Sequence, residues 1–204
     1  LYLEKVLGYA PLRTGIAFLP MTIAMALLSL GVTSRLLMRF GPMKLLVPGT
    51  IMVIFGLLVM ARIPVDANYF TSILPAFLLL GIGMSLSSVP LLTIAMSDAP
   101  KSDAGLASGI VNVSMWLASS LGLAIFGTLA ASKTTSLVAQ GQSQVSALVA
   151  GYHVAFLLGA VLATLGLLVT LTVLRAPAKE VVQIQTSPSE DFDMEHLEVM
   201  AAEF

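Results

Sequence analysis

The sequence predicts an all-α polytopic membrane protein with five transmembrane helices. Three observations carry that prediction. Charged residues make up 10% of the 204 residues and hydrophobic ones 57%, whereas a soluble domain carries roughly 25% charge, so this chain cannot clothe a water-facing surface. Its apolar residues gather into runs long enough to cross a bilayer, which takes about 20 residues in a helix. Asp, Glu, Lys and Arg fall between those runs or at their ends, as expected where a helix passes from water into lipid.

Residues 1–14 are short and mixed, with Glu4, Lys5 and a loop-like Gly8-Tyr9-Ala10-Pro11, and form an external loop. The first span covers about 15–34 between Arg13 and Arg35, with a kink expected at Pro20. A tight basic turn from Arg35 to Lys44 follows. The second span, about 43–61, contains Pro48, Gly49 and Gly56, which lipid-embedded helices tolerate because neighbours re-satisfy the backbone. A loop of Pro64, Asp66 and Asn68 leads to the third span, about 70–96. Gly81, Gly83, Ser85, Ser87, Ser88 and Pro90 within it read either as structural punctuation or as a bend lining a cavity.

Asp98, Lys101 and Asp103 introduce the fourth span, about 105–130. Here Gly105 and Gly109 form a small-xxx-small pair, and Ser108, Asn112, Met115, Ser119 and Gly122 recur at helical spacing on one stripe. Two readings of the stripe stand side by side. Gly105, Gly109 and Gly122 suit close packing of another helix; the polar members suit a solute pathway, because polar groups in lipid must be satisfied by protein or water. Trp116 either fills space between helices or offers a stacking surface to an aromatic or cationic solute.

Residues 132–150, rich in Ser, Gln and Thr, read as a polar loop. The fifth span, about 152–174, is closed by Arg175, and Gly151, Gly159 and Gly166 suggest close packing. The remainder, 176–204, is an acidic cytoplasmic tail: seven of the eleven acids (Glu180, Glu190, Asp191, Asp193, Glu195, Glu198, Glu203) lie in it. Ser187-Pro188-Ser189-Glu190 matches a capping box with proline at the first helical position, so either a short acidic amphipathic helix starts at Pro188 or the tail is solvated.

Several function classes are excluded. With no cysteine, thiolate metal sites, disulfides and cysteine nucleophiles drop out. The basic residues are scattered singly at helix ends, which argues against nucleic-acid binding. His153 and His196 sit at a helix end and in the tail, and no triad, metal cluster or phosphate loop is present, so a non-enzyme without cofactor or metal is expected. Arg35, Arg39, Lys44, Lys101, Arg175 and Lys179 share one side against Lys5, Arg13, Arg62 and Lys133 on the other; this basic bias puts the first group in the cytoplasm and the N-terminus outside. Tyr2, Tyr9, Tyr69 and Tyr152 then mark the outer interface. The first residue is not Met, and the chain reads as the latter part of something longer.

Leu36, Arg39, Gly41 and Lys44 fall close to the pattern Gly-x-Leu-x-Asp-Arg-x-Gly-Arg-Lys, with Ser34, Met38 and Pro42 departing from it. This loop resembles the cytoplasmic loops of the major facilitator superfamily. Gly8-Tyr9-Ala10-Pro11-Leu12-Arg13 and Ala104-Gly105-Leu106-Ala107-Ser108-Gly109-Ile110-Val111-Asn112 are similar to the fourteen-helix drug:proton antiporters of that superfamily. The resemblance runs from Tyr2 to about Arg175. It implies that the five spans are most of the C-terminal half of a major facilitator fold, with the third span lining a central cavity, the first and fourth facing the missing N-terminal half, and the second and fifth as outer support. Ser85, Ser88, Asn112, Trp116 and Ser119 become pathway candidates, and Arg35, Arg39, Gly41 and Lys44 a cytoplasmic gate loop. Where relatives show Arg-Gln-Leu-Gly-Gly after the asparagine, this chain has Met115-Trp116-Leu117-Ala118-Ser119, so no role tied to that arginine carries over. The implied function is proton-coupled export of hydrophobic or cationic small molecules across the plasma membrane by alternating access. The rival readings are a truncated inactive fragment and a five-span membrane subunit whose acidic tail docks a partner.

Overall fold

The structure is a computed structural model that describes residues 2–97 and 99–173. The acidic tail and its expected helix from Pro188 lie outside the described residues, as do Asp98 and Arg175. A single turn, Tyr2–Lys5, precedes five helices: α1 (Pro11–Phe40), α2 (Pro42–Met60), α3 (Tyr69–Met96), α4 (Ala104–Ala139) and α5 (Gln144–Val173). All five are long and apolar enough to cross a membrane. The shortest has 19 residues, which at 1.5 Å per residue gives about 29 Å, the thickness of a hydrocarbon core.

Two expectations need correction. The basic stretch from Arg35 is not a turn: α1 stays helical to Phe40, and the chain reverses at Gly41 alone. Gly41 takes φ 82°, which a side chain would strain, and Pro42 opens α2 at the position where a missing N–H costs nothing. α1 is helical through Pro20, and carries an interruption at Gly31 (φ 168°, ψ −25°) inside a π turn at Leu28–Val32. One lost hydrogen bond at proline is tolerable, whereas the extra residue of a π turn must be absorbed somewhere.

The second correction concerns 132–150, where helix replaces the expected loop on both sides of a short connection. Thr134 and Thr135 donate back to the Ala130 and Ala131 carbonyls at 2.8 and 3.0 Å, so these polar side chains sit in a helix without needing a turn. α4 ends where Gly141 takes φ 87°. The Gly141 amide reaches the Val138 carbonyl at 2.9 Å and the Gln142 amide the Leu137 carbonyl at 3.1 Å, the bond pair of a glycine-terminated helix. Ser143 then caps α5, its Oγ accepting from the Ser146 amide at 3.3 Å.

α2 is the central support, packed on α3 and α5; α1 packs on α3, and α4 on α5. Glycine sets the closest approach. A Cβ added to Gly83 of α3 would lie 2.7 Å from the Gly49 carbonyl oxygen and 2.8 Å from the Val53 amide nitrogen of α2, so the two backbones touch. Gly56 likewise meets Leu80, and Gly81 meets Met21 of α1. The glycines of α3 are therefore contact points, and α3 stays helical through Pro90.

The buried core lies at the end holding the tyrosines: Leu3, Ala17, Met60, Ile63, Ala67, Ile73, Ala76 and Phe77 cluster there, with Tyr2, Tyr9 and Tyr69 against them. Phe18 of α1 stacks on Phe77 of α3 at 4.8 Å. The Tyr69 hydroxyl donates to the Ala17 carbonyl at 2.7 Å. The loop between α2 and α3 offers two consecutive carbonyls: the Tyr2 hydroxyl takes Pro64 at 2.6 Å, and His153 Nε2, as donor, takes Ile63 at 2.8 Å. Tyr2 and Tyr152 meet edge to face at 6.2 Å.

Candidate functional site

The expected pathway residues divide between two environments. Ser85 of α3 is 1% exposed and points its Oγ to the Met25 carbonyl of α1 at 3.4 Å, which makes it part of a helix contact. Ser88 lies on an open face and donates to the Met84 carbonyl at 2.6 Å. Met84, 46% exposed, and Leu92 continue that face at a four-residue interval. Met84 was missed in the sequence although its spacing from Ser88 was visible. Between the two serines, Ser87 turns its Oγ to Gly49 and has no hydrogen-bond partner among the described residues.

Asn112, Trp116 and Ser119 all sit on α4 and all are exposed, Trp116 at 73%. Ser119 satisfies its hydroxyl on the Met115 carbonyl at 2.8 Å. The Asn112 amide and the Trp116 indole N–H make no hydrogen bond among the described residues. Asn112 stands eight residues beyond Ala104, about 12 Å along the axis of this 36-residue helix. At 100° per residue, Asn112 and Ser119 fall within about 40° of Phe126. That face is covered further along, where Phe126, Ala130, Thr134 and Leu137 are at least partly buried. The covered face of α4 therefore runs on, uncovered and polar, towards Ala104.

The glycines proposed for packing on this helix have no helix against them here. Nothing lies within 4 Å of a Cβ placed on Gly105 or Gly109, and Gly122 meets only Phe126 of its own helix at 3.7 Å. At the junction of α1 and α2, Gly41 makes the reversal while Arg35, Arg39 and Lys44 are exposed. Arg39 holds its guanidinium 5.5 Å from the Phe40 ring, and none of the three bases forms an ion pair among the described residues. No group of His, Asp and Glu among the described residues is placed to hold a metal. The arrangement offers hydrogen-bonding and stacking surface inside a membrane span.

Residues 1–123 match the sequence profile of the Major Facilitator Superfamily. The chain belongs to this superfamily. The puromycin resistance protein pur8 of Streptomyces alboniger is 30% identical over 171 residues, covering 80% of this chain and 34% of that protein. The tetracenomycin C resistance and export protein of Streptomyces glaucescens is 34% identical over 133 residues, 65% of this chain and 24% of that protein. The lincomycin resistance protein LmrB of Listeria monocytogenes is 30% identical over 181 residues, 86% of this chain and 38% of that protein. The chain thus spans 24–38% of the length of these relatives. As a superfamily member with five apolar helices it is a multi-pass membrane protein, and its relatives are drug resistance and export proteins.

Proposed function

We propose that this chain is the last five helices of a fourteen-helix transporter that exports drugs or other amphipathic compounds across the plasma membrane by proton-coupled alternating access. The N-terminal half completes the solute path, with the N-terminus of the present chain outside and its acidic tail in the cytoplasm. Resistance and export proteins among the relatives support the solute class. The observation that carries the reading is the amide of Asn112, without a hydrogen-bond partner among the described residues, beside the exposed indole of Trp116 in the first half of α4. Lipid offers neither group a hydrogen bond, so water, solute or the other half must. Ser88 and Ser119 extend this surface; Gly105, Gly109 and Gly122 let another helix close on it; Arg35 and Arg39 at the end of α1, the reversal at Gly41 and Lys44 at the start of α2 form the cytoplasmic gate that shifts between the two access states.

Replacing Asn112 by Leu in the full-length polypeptide tests the reading. Export measured at equal membrane abundance falls at least tenfold if the amide contacts solute or pathway water. Unchanged export would return Asn112 to helix packing.

A further inference from the structure

We infer that the acidic tail docks on the basic corner where α1 turns into α2, its carboxylates from Glu190 onward pairing with Arg35, Arg39 and Lys44. Arg35 and Arg39 stand one turn apart at the end of α1, and Lys44 is the third residue of α2, across the reversal at Gly41. All three are exposed, and Asp103 at the start of α4 is the one acid among the described residues at this end of the bundle. α2 adds to the positive charge: its first turn holds no acid and no side chain caps it, so the free amides of its N-terminus point into the same corner.

Helix packing brings the tail to that corner. His153 Nε2 bonds the Ile63 carbonyl. Six residues onward in α5, a Cβ on Gly159 would meet Leu57, six residues back towards the start of α2. The two helices therefore run antiparallel in a fixed register, and thirteen further residues along each bring Thr172, next to last in α5, level with Lys44. Beyond it, residues 176–204 hold seven acids against Lys179 as the single Lys or Arg, and Glu190, Asp191, Asp193, Glu195 and Glu198 crowd together. Seventeen residues separate Val173 from Glu190, a flexible reach of about 23 Å, whereas packed helices stand about 8–10 Å apart. A lone exposed ion pair contributes little. Several carboxylates tethered near three bases, at an effective concentration on the order of millimolar, hold where a free anionic headgroup does not. The dock requires only that these helix ends share one side of the membrane, so it stands apart from the export reading.

The test uses the full-length polypeptide in phosphatidylcholine nanodiscs, with any cysteine elsewhere replaced and spin labels on Met38→Cys, beside Arg39, and Met194→Cys, among the acids. At about 0.05 M salt the pair gives one peak less than about 10 Å wide, and at about 1 M salt, where screening leaves a Debye length of about 3 Å, it spreads to the roughly 25 Å scale of a free chain of twenty-one residues. Neutralising the tail with Glu190→Gln, Asp191→Asn, Asp193→Asn and Glu195→Gln spreads it at low salt too, and leaves the membrane helices untouched. Arg35→Gln with Arg39→Gln does the same from the other side; if that variant fails to insert, Lys44→Gln alone broadens the peak. A parent distribution as broad as that of the neutralised tail, or a narrow one indifferent to the tail substitutions, would overturn the dock. Ordering of the Met38 label by added phosphatidylglycerol alone would then assign the corner to lipid headgroups. These distances are read without transport, so a failure of Asn112→Leu to impair export leaves them standing.

Discussion

Gly83→Ala is the substitution whose cost the structure defines most closely. Its new Cβ would sit 2.7 Å from the Gly49 carbonyl oxygen and 2.8 Å from the Val53 amide nitrogen, both backbone atoms of α2. Ordinary contact begins near 3.4 Å, so α2 and α3 must separate by about 0.6–0.7 Å along the contact. No rotamer change relieves the clash, and the neighbouring Gly49 contact with Ser87 opens with it. Overpacking of this kind costs about 1–3 kcal/mol, a roughly 5-fold to 150-fold loss in the folded-to-unfolded ratio. Unfolding of the full-length protein in mild detergent, followed with Gly166→Ala as control, reads the effect. Gly166 has open space around its Cβ position, and its substitution does not lower the midpoint. Equal midpoints for Gly83→Ala and the parent protein would mean that α2 and α3 do not touch through their backbones.

Three other outcomes follow from the same contacts. Tyr69→Phe removes the 2.7 Å bond to the Ala17 carbonyl and lowers stability by about 0.5–1.5 kcal/mol in a denaturant titration. Burial first, and then the Asp66 carboxylate, hold the Tyr2 phenol above the ordinary tyrosine value of 10.0. The neutral hydroxyl is the form that bonds Pro64, so its contribution is complete below that value and is lost as pH rises through the raised one. A melting series at increasing alkaline pH shows a fall that Tyr2→Phe lacks. Arg39→Ala slows turnover in reconstituted vesicles without reducing the amount inserted, whereas a normal rate would remove this residue from the gate.

The five spans were legible because a bilayer sets a crude requirement, about twenty apolar residues with charge only at the ends. Boundaries were less so. Polar composition made 132–150 look like a loop, yet Ser and Thr can bond to their own helix, and the turn was marked only by Gly141 and the capping Ser143. Glycine spacing announced close packing without saying which glycines use it. Gly105 and Gly109 make the more familiar motif but stand in open space, while Gly49, Gly83 and Gly151 touch backbone. A motif describes one helix face; the partner comes from tertiary arrangement. The site divided in the same way. Asn112 and Trp116 could be singled out because polar groups are rare at that depth, but Ser85 and Ser88 differ by less than a turn and ended in opposite roles, one against α1 and one on an open face. Helix rotation about its own axis decides that, and a uniformly apolar helix such as α3 carries little pattern to fix it.

Cysteine accessibility along α4 tests the central claim most directly, since the chain has no cysteine of its own. Asn112→Cys and Ser119→Cys lie on the proposed pathway face; Ile110→Cys, Leu117→Cys and Leu121→Cys lie on the opposite one. A membrane-impermeant thiol reagent, applied to the full-length protein from each side in turn, reports which face meets water. The account predicts labelling at 112 and 119 at least tenfold faster than at 110, 117 and 121, and slower when an exported compound is present. Equal, slow labelling at all five positions would put the Asn112 face in lipid or in a dry helix contact, and contradict the account.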